Sequence, residues 1–402
     1  MKKNLLIIAA TALVFAACSS NDLRNDLQEE QVEIGFSTFT GKLTRAENST
    51  ATDKNALNTH HTTFKVWGYK TVNSTPSSVF GESDGTGTVV QYQSSAWTYS
   101  PLRFWDKSAT NYKFFAAAPS TPSWVFANDK ISLTGFTVDG ATIEASASID
   151  ADANFGPKDI MISEDATVQP ANYTSAKVQL NFIHLLTRLN IGVNKSTTLN
   201  DYYVKLKSIK VYNLVDGGDF SDATAAVPAG SIARWSANNI VSDASKAGYG
   251  YATDYEVKTS FNYVYQSLFI PQQVDYVSDI PLNGSGLGAR SKPYLKISYE
   301  LYSGTKFTQA EIDAAQEGDD AYGKTTSDFK STTLELVDTY SYAYNLADMF
   351  NGKTGTDHVK FNEGWMNTLK ITIEPVAINF AADVYVWKPI TDVDVNVPDI
   401  NQ

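Results

Sequence analysis

Short runs in which apolar and polar residues alternate recur along most of the chain. Near the start, Val32, Ile34 and Phe36 alternate with polar or small residues, the period of two that is typical of a half-buried strand. The same criterion predicts strands at residues 64–69, 89–92, 97–105, 112–119 and 159–163. Turn-rich segments separate these short strands, which favours a β-sandwich over alternating β-α-β units.

A second series of strands begins at residue 176. Val178, Leu180, Phe182 and His184 share one face, and the phase of the alternation changes at residues 185–186. Such a change predicts a bend or bulge that lets one strand serve two sheets. Further strands are predicted at 204–214, 263–270, 294–302, 332–336, 365–373 and 376–387.

The best helix candidate covers residues 308–316. Thr308 stands at the expected N-cap and Glu311 follows three residues later, which is the pattern of a capping box. The segment is short and leads into a polar loop. We therefore interpret it as a decoration on a β-protein.

Composition agrees with this pattern. The chain has 402 residues, with 22 Tyr, 20 Phe and 7 Trp, and only 19% of its residues are charged. Aromatic and β-branched residues are strand formers, so the predicted fold class is all-β. The length suits two domains. A net charge of −12 and the absence of a cluster of Lys and Arg in the sequence argue against nucleic acid as a partner.

The N-terminus has the features of an export signal. Two lysines precede an apolar run at residues 5–17, which is shorter than the roughly 20 residues of a transmembrane helix. The run ends in Phe15-Ala16-Ala17-Cys18, which resembles the bacterial lipobox, and Cys18 is the only cysteine. We predict a signal peptide at residues 1–17 and lipid attachment at Cys18. The polar residues 19–30 would form a flexible tether.

Signals for an enzyme are weak. His60 and His61 lie in a predicted linker, His184 in an apolar strand and His358 in a polar loop, without the spacing of a metal site. No nucleophile-elbow pattern is present, and the glycine-rich run at 284–288 lacks the strand and helix of a phosphate loop. We predict no catalytic residue, no metal and no cofactor. The chain is interpreted as a binding or structural protein, not an enzyme.

Two further features suggest a function. Arg45 stands between the first predicted strand and a polar linker, so it is either an ordinary surface arginine or the site of a trypsin-like cut. Near the other end, Val393, Val395 and Val397 alternate with polar residues, the same pattern as the first strand. This terminal strand could fold back as an edge or be given to a neighbouring subunit. If a protease removed residues up to Arg45, the vacated groove could accept it.

Several motifs together resemble the fimbrillin family of Bacteroidales, the subunits of protease-assembled type V pili. Each motif is weak alone, but they are spread over most of the chain. Besides the lipobox, they are Leu43-Thr-Arg-Ala46, Leu102-Arg-Phe-Trp105, Tyr112-Lys-Phe-Phe-Ala-Ala-Ala-Pro119, Asp159-Ile-Met161, Val178-Gln-Leu-Asn-Phe-Ile-His-Leu-Leu-Thr-Arg-Leu189, Ser267-Leu-Phe-Ile-Pro-Gln272 and the closing Trp387 with its acidic tail.

The resemblance implies two tandem transthyretin-like Greek-key β-sandwiches. The expected division of the chain is a signal peptide at 1–17, a lipid-bearing propeptide at 18–45, a first sandwich at 46–175 and a second at 176–402. It also implies an outer-membrane lipoprotein precursor and a mature protein in a cell-surface fimbria that supports adhesion.

Carried onto this chain, the resemblance makes Arg45-Ala46 the bond cut by an arginine-specific protease. The strand with Val32, Ile34 and Phe36 would be displaced, and that with Val393, Val395 and Val397 would be the donor to other fimbrial subunits.

Three alternatives stay open. The protein could be a tip adhesin, an anchor subunit that keeps its lipid, or a surface lipoprotein that binds a host receptor or glycan. For glycan binding, the candidate exposed aromatics are Trp97, Trp124 and Trp235. We rank this alternative low because clustered aromatics more often form a sandwich core.

Overall fold

The structure is a computed structural model with side chains. It describes residues 32–40, 57–59, 61–81, 85–138, 142–146, 158–163, 165–170, 173, 177–222, 234–240, 249–251, 254–275, 293–351, 358–375 and 378–386. Nearly all the secondary structure in these ranges is β-strand, so the predicted all-β class is confirmed.

The strands of the first half have three to ten residues each. In chain order they are β1 (Phe36–Thr40), β2 (Thr63–Val72), β3 (Thr75–Phe80), β4 (Thr88–Gln93), β5 (Ala96–Thr98), β6 (Asn111–Ala118), β7 (Val125–Ala127), β8 (Lys130–Thr137), β9 (Thr142–Ser146), β10 (Met161–Ser163), β11 (Ala166–Val168) and β12 (Val178–His184).

The strands of the second half are longer. They are β13 (Thr187–Lys195), β14 (Tyr203–Tyr212), β15 (Val215–Ser221), β16 (Trp235–Ile240), β17 (Tyr249–Tyr251), β18 (Tyr255–Val257), β19 (Asn262–Phe269), β20 (Gln272–Asp275), β21 (Tyr294–Ser303), β22 (Glu335–Asn345), β23 (His358–Phe361), β24 (Trp365–Ile373) and β25 (Ile378–Val386). The helices are α1 (Gln309–Ala314) and α2 (Leu346–Asn351), with 3-10 turns at Leu57–Thr59, Thr197–Leu199 and Ser331–Thr333.

Among the described strands, the largest sheet has the order β1-β12-β10-β6-β2-β4-β5, with β3 on β2 and β11 on β6. Two five-stranded sheets follow, β25-β24-β13-β19-β9 and β17-β14-β21-β22 with β18 on β14. A four-stranded sheet has the order β16-β15-β8-β7, and β20 pairs with β23. Consecutive strands are often not neighbours, so most pairings join distant parts of the chain.

Three hydrophobic cores hold these sheets together. The first lies on one face of the largest sheet and is rich in aromatic rings, including Phe36, Phe64 and Phe114. The second lies between the two five-stranded sheets and is mostly aliphatic. A third core joins the other face of the largest sheet to the four-stranded sheet through buried residues such as Trp67 and Phe220.

The predicted phase change at residues 185–186 is confirmed. β12 ends at His184 within the largest sheet, and β13 begins at Thr187 within a five-stranded sheet. Leu185 and Leu186 are both buried at this junction. The predicted domain division lies between residues 175 and 176, before β12. β12 still pairs with β1 and β10 of the largest sheet, so the chain changes sheet about ten residues after the predicted division.

Two predicted strands are wrong in extent. The strand expected at 97–105 covers only Ala96–Thr98, because Pro101 has no backbone N–H for a ladder. The strand expected at 332–336 begins at Glu335 and continues to Asn345, after the 3-10 turn at Ser331–Thr333. The alternation of tyrosines at 340–344 was the missed signal of its length.

The predicted helix is confirmed with its cap. Thr308 accepts a hydrogen bond from the Glu311 backbone, and the Glu311 side chain accepts from the Thr308 backbone N–H at 2.9 Å, which completes the capping box. α1 and α2 each have six residues, and within the described parts of the chain neither is long or apolar enough to cross a membrane.

Candidate functional site

The strand β1 and the groove that holds it form the candidate site. Ile34 and Phe36 are 0% and 2% exposed, and Val32 packs at the margin of the same core. These are the three side chains predicted from sequence to fill a groove, and the structure brings them together in the first core. Val32 and Ile34 precede β1, in a segment joined to Phe104 by an isolated bridge at Glu33, and the alternation turns them towards the same core as Phe36.

Phe36 lies at the centre of a cage of aromatic rings. Its ring centroid lies 5.9 Å from Phe64, 5.4 Å from Phe80, 5.7 Å from Tyr99 and 6.1 Å from Phe114, each with an edge-to-face arrangement. Aromatic pairs prefer this geometry because the positive edge of one ring meets the negative face of another. The cage is therefore complementary to an aromatic side chain.

The backbone before and after Gly35 pairs with different segments. Ile34 N–H donates to the Arg103 carbonyl and Trp105 N–H donates to the Val32 carbonyl, both at 2.9 Å. After Gly35, β1 runs parallel to β12, from Phe36 opposite Val178 to Thr40 opposite Phe182. Val178 N–H donates to the Gly35 carbonyl at 2.8 Å. The segment thus connects the loop at 103–105 to the edge of the largest sheet.

Gly35 lies at a close approach of the chain to Lys177 at this crossing point. A Cβ atom at residue 35 would lie 3.2 Å from Lys177 Cγ, tighter than ordinary van der Waals contact. The neighbouring lysine stem would have to shift to admit a larger residue.

Polar side chains also hold the strand. The Tyr99 hydroxyl donates to the Ile34 carbonyl at 2.7 Å, and the Trp97 indole N–H donates to Thr38 Oγ1 at 3.0 Å. On the outer face, Ser37 Oγ donates to Gln179 Oε1 at 2.8 Å. Burial raises the pKa of Tyr99 to about 12, so this hydroxyl keeps its proton and remains a donor at physiological pH.

These polar contacts were missed by reasoning from sequence. The segment that pairs with residues 32–34 belongs to the motif Leu102-Arg-Phe-Trp105. That motif was noted only for its resemblance to a family, and no role was predicted for it. Trp97 was considered for an exposed platform, whereas its N–H bonds to Thr38 within the site. Pairs of residues about 60 positions apart leave no periodic signal in the sequence.

The aromatic platform proposed for glycan binding is wrong in its residues. Trp124 is 3% exposed and its indole N–H donates to the Pro119 carbonyl; Trp235 is 9% exposed and its N–H donates to the Leu185 carbonyl. Trp97 is half-buried against Phe64 and Tyr92. Trp124 and Trp235 are therefore packed where a sugar could not stack on them, and Trp97 is partly covered.

A buried polar cluster supports the far end of β12. His61 Nε2 lies 2.6 Å from the Asp159 carbonyl oxygen, and His184 Nδ1 lies 2.8 Å from Asp159 Oδ1. His184, expected in an apolar strand, is buried at the end of β12, but His61 is also buried and is not part of an exposed linker. Desolvation lowers the pKa of His61, against the opposing influence of Asp159. No group of three or more potential metal ligands occurs among the described residues.

The other predicted site residues lie outside the described residues. These are Cys18, Arg45 and Ala46, and the terminal valines Val393, Val395 and Val397. β1 itself ends at Thr40, five positions before Arg45. A cut there would separate the whole strand from the remainder of the chain.

The sequence of this chain is similar to those of known proteins. A model of the fimbrillin-like family matches residues 44–387. A curated relative, the fimbrium subunit Fim1C of Phocaeicola vulgatus, is 29% identical over 210 residues, which cover 49% of this chain and 52% of that protein. The match thus spans about half the length of this relative.

Two solved structures can be aligned with most of the chain at low sequence identity. A fimbrial protein of Bacteroides vulgatus has 17% identity and a TM-score of 0.45, with 89% of this chain and 99% of that one covered. A candidate cell adhesion protein of Bacteroides uniformis has 11% identity and a TM-score of 0.37, with 89% and 99% covered. Because the family match extends over most of its length, the chain belongs to the fimbrillin-like family.

Proposed function

We propose that this chain is a structural subunit of a cell-surface fimbria, without enzymatic activity, which polymerises by exchange of β1. The observation that carries the proposal is the burial of Phe36 at the start of the five-residue strand β1, and of Ile34 just before it, in a segment that precedes a candidate cleavage site. Membership of the fimbrillin-like family supports the fimbrial role. The family match begins at residue 44, after β1, as expected if β1 belongs to a removable propeptide.

In the proposed pathway, Cys18 carries a lipid that holds the exported precursor at the outer membrane. An arginine-specific protease then cuts between Arg45 and Ala46, and β1 is no longer covalently attached to the sandwich. The strand containing Val393, Val395 and Val397 of another subunit enters the groove. In the fimbria, the mature protein would support adhesion to a host receptor or glycan.

The contacts of β1 explain why cleavage alone would not empty the groove quickly. Burial of Ile34 and Phe36 contributes on the order of 1.5–3 kcal/mol each relative to exposure. The backbone hydrogen bonds add about 1 kcal/mol each, and more is lost when a buried partner is left unpaired. A donor that replaces these contacts one pair at a time avoids the full cost of an empty groove. The resulting joint would dissociate slowly for the same reason.

The decisive experiment is digestion of the purified precursor with an arginine-specific protease. The expected result is a new N-terminus at Ala46, followed by ladders of polymer on a non-boiled gel. The matched control is Arg45→Lys, which preserves the charge but removes the recognised residue. A cut at Arg24 alone would leave β1 attached and yield no polymer.

A second variant separates cleavage from assembly. Deletion of residues 389–402 should leave the cut at Arg45 unchanged and abolish polymerisation. Efficient cleavage of the intact chain without polymer would contradict a stalk subunit and favour a tip adhesin. An intact Arg45 in the mature, lipid-bearing surface protein would instead indicate an anchor subunit.

A further inference from the structure

The positions that residues 34–38 fill in the groove are not equivalent. The Ile34 position is a simple apolar site, but the Phe36 position is enclosed by aromatic rings at 5.4–6.1 Å. Two residues further, Thr38 provides an acceptor for the Trp97 N–H. The groove is therefore shaped for an apolar, an aromatic and a hydroxyl-bearing side chain in succession.

The cage around Phe36 is held by separate parts of the sheet. Phe64 lies on β2, Phe80 on β3 and Phe114 on β6, while Tyr99 follows β5. β2 pairs with β6 from Lys65 to Thr71 and with β3 from Gly68 to Val72. Since each ring is anchored through its own strand, the cage cannot readily collapse onto a smaller side chain, and a cavity would remain.

The chain's own terminal segment does not carry a matching side chain. Residues 388–402 include no aromatic residue, so in every register of this segment the largest apolar side chain at the Phe36 position is a valine or an isoleucine. In registers that also place a valine at the Thr38 position, the Trp97 N–H would lose its acceptor, because valine has the shape of threonine without the hydroxyl.

We propose that the groove left by β1 selects a donor strand with an aromatic side chain at the Phe36 position. Its preferred occupant is then the terminal strand of a different fimbrial subunit; a second copy of this chain still enters the groove, so the purified protein polymerises, but it is a weaker donor. This inference rests on the proposed strand exchange and specifies its partner. It would make the subunit a junction between unlike neighbours in a fimbria.

The test is a competition between peptides for the groove of the protein cut after Arg45, with residues 46–402 retained. A fluorescent peptide with the sequence of residues 31–42 is loaded into the groove, and its displacement is followed by anisotropy. The competitors are the unlabelled peptide of residues 31–42, the terminal peptide of residues 388–402, and terminal peptides with Val393→Phe, Val395→Phe or Val397→Phe. The matched control is Asn396→Phe, which puts the same ring on the opposite face of the strand.

We expect the best of the three valine-to-phenylalanine peptides to compete at least about tenfold more strongly than the unchanged terminal peptide, with no such gain for Asn396→Phe. Equal competition by the unchanged and substituted peptides would overturn the selectivity while leaving strand exchange intact. If even the unlabelled peptide of residues 31–42 fails to displace its labelled copy, strand exchange itself fails and the inference fails with it. Because only peptides are altered, folding of the protein does not affect the comparison.

Discussion

β1 and β22 both stand at the end of a sheet order, but they contribute very differently to the protein. β1 has five residues, and Phe36 at its start is enclosed by the first core. β22 has eleven residues, and its first five are exposed, with Leu336 at 56% and Val337 at 52%. The importance of an edge strand thus depends on what its side chains enter, not on its length.

The two strands also differ in their polar support. Beyond the parallel ladder with β12, hydrogen bonds from Tyr99 and Trp97 hold residues 34 and 38. β22 is joined to β21 by a ladder of pairs from Tyr294–Asn345 to Ser303–Glu335, and tyrosines at 340, 342 and 344 cover the margin of the second core. If β1 leaves as a unit, as proposed above, it is expected to be held by a few contacts close together in the sequence, as the contacts of residues 34–38 are.

The largest effect is expected for Phe36→Ala. Loss of the ring and the cavity it leaves should destabilise the first core by about 3–5 kcal/mol. Hydrogen exchange should show lost protection in β2, β6 and β12, with β13 and β24 retained. Ile191→Ala in the second core is the matched control and should give the reverse pattern; equal loss of protection in both regions would contradict the separate dependence on β1.

A smaller effect is expected for Tyr99→Phe. This change removes the donor to the buried Ile34 carbonyl but keeps the ring in the aromatic cage. The free energy of unfolding should fall by about 1–3 kcal/mol, measured by urea denaturation. Tyr92→Phe, on a half-buried tyrosine of β4, controls for the loss of a hydroxyl and should change stability by less. Equal effects of the two changes would exclude a special role for the Tyr99 bond.

A weaker, pH-dependent effect is expected from His61. Burial lowers its folded-state pKa below 6.5, so the unfolded chain binds the proton first as the pH falls. Its contribution to stability is complete above about pH 6.5 and is lost as the pH falls from there towards the lowered pKa, with a slope of at most about 1.4 kcal/mol per pH unit. Thermal unfolding between pH 5 and 7.5 should show a smaller pH dependence for His61→Asn than for the parent protein.

The smallest effect is expected for Val337→Thr on β22. The side chain is more than half exposed, so the free energy of unfolding should change by no more than about 0.5 kcal/mol. Urea denaturation would measure it beside the Phe36 and Tyr99 variants. A loss above 1 kcal/mol would show that this edge is covered in solution and would weaken the contrast with β1.

Local pattern was sufficient for several elements. The alternation of Val32, Ile34 and Phe36 correctly predicted that these side chains turn towards one core, but the strand itself begins only at Phe36. The boundaries of β24 and the capping box of α1 also followed from neighbouring residues. The strand predicted at residues 97–105 was too long, because the alternation of apolar and polar residues continues past Pro101, which cannot donate a backbone hydrogen bond.

What the local pattern could not supply was the partner of each strand. The periodicity of residues 32–36 predicts a buried face, since adjacent side chains alternate by geometry alone. That this face enters a cage formed by Phe64, Phe80, Tyr99 and Phe114 depends on sheet pairings between residues tens of positions apart. Likewise, the parallel register of β1 on β12 joins residues more than 140 positions apart. Such contacts are decided when the whole chain packs, because only then does the free energy of each pairing compete with that of every other.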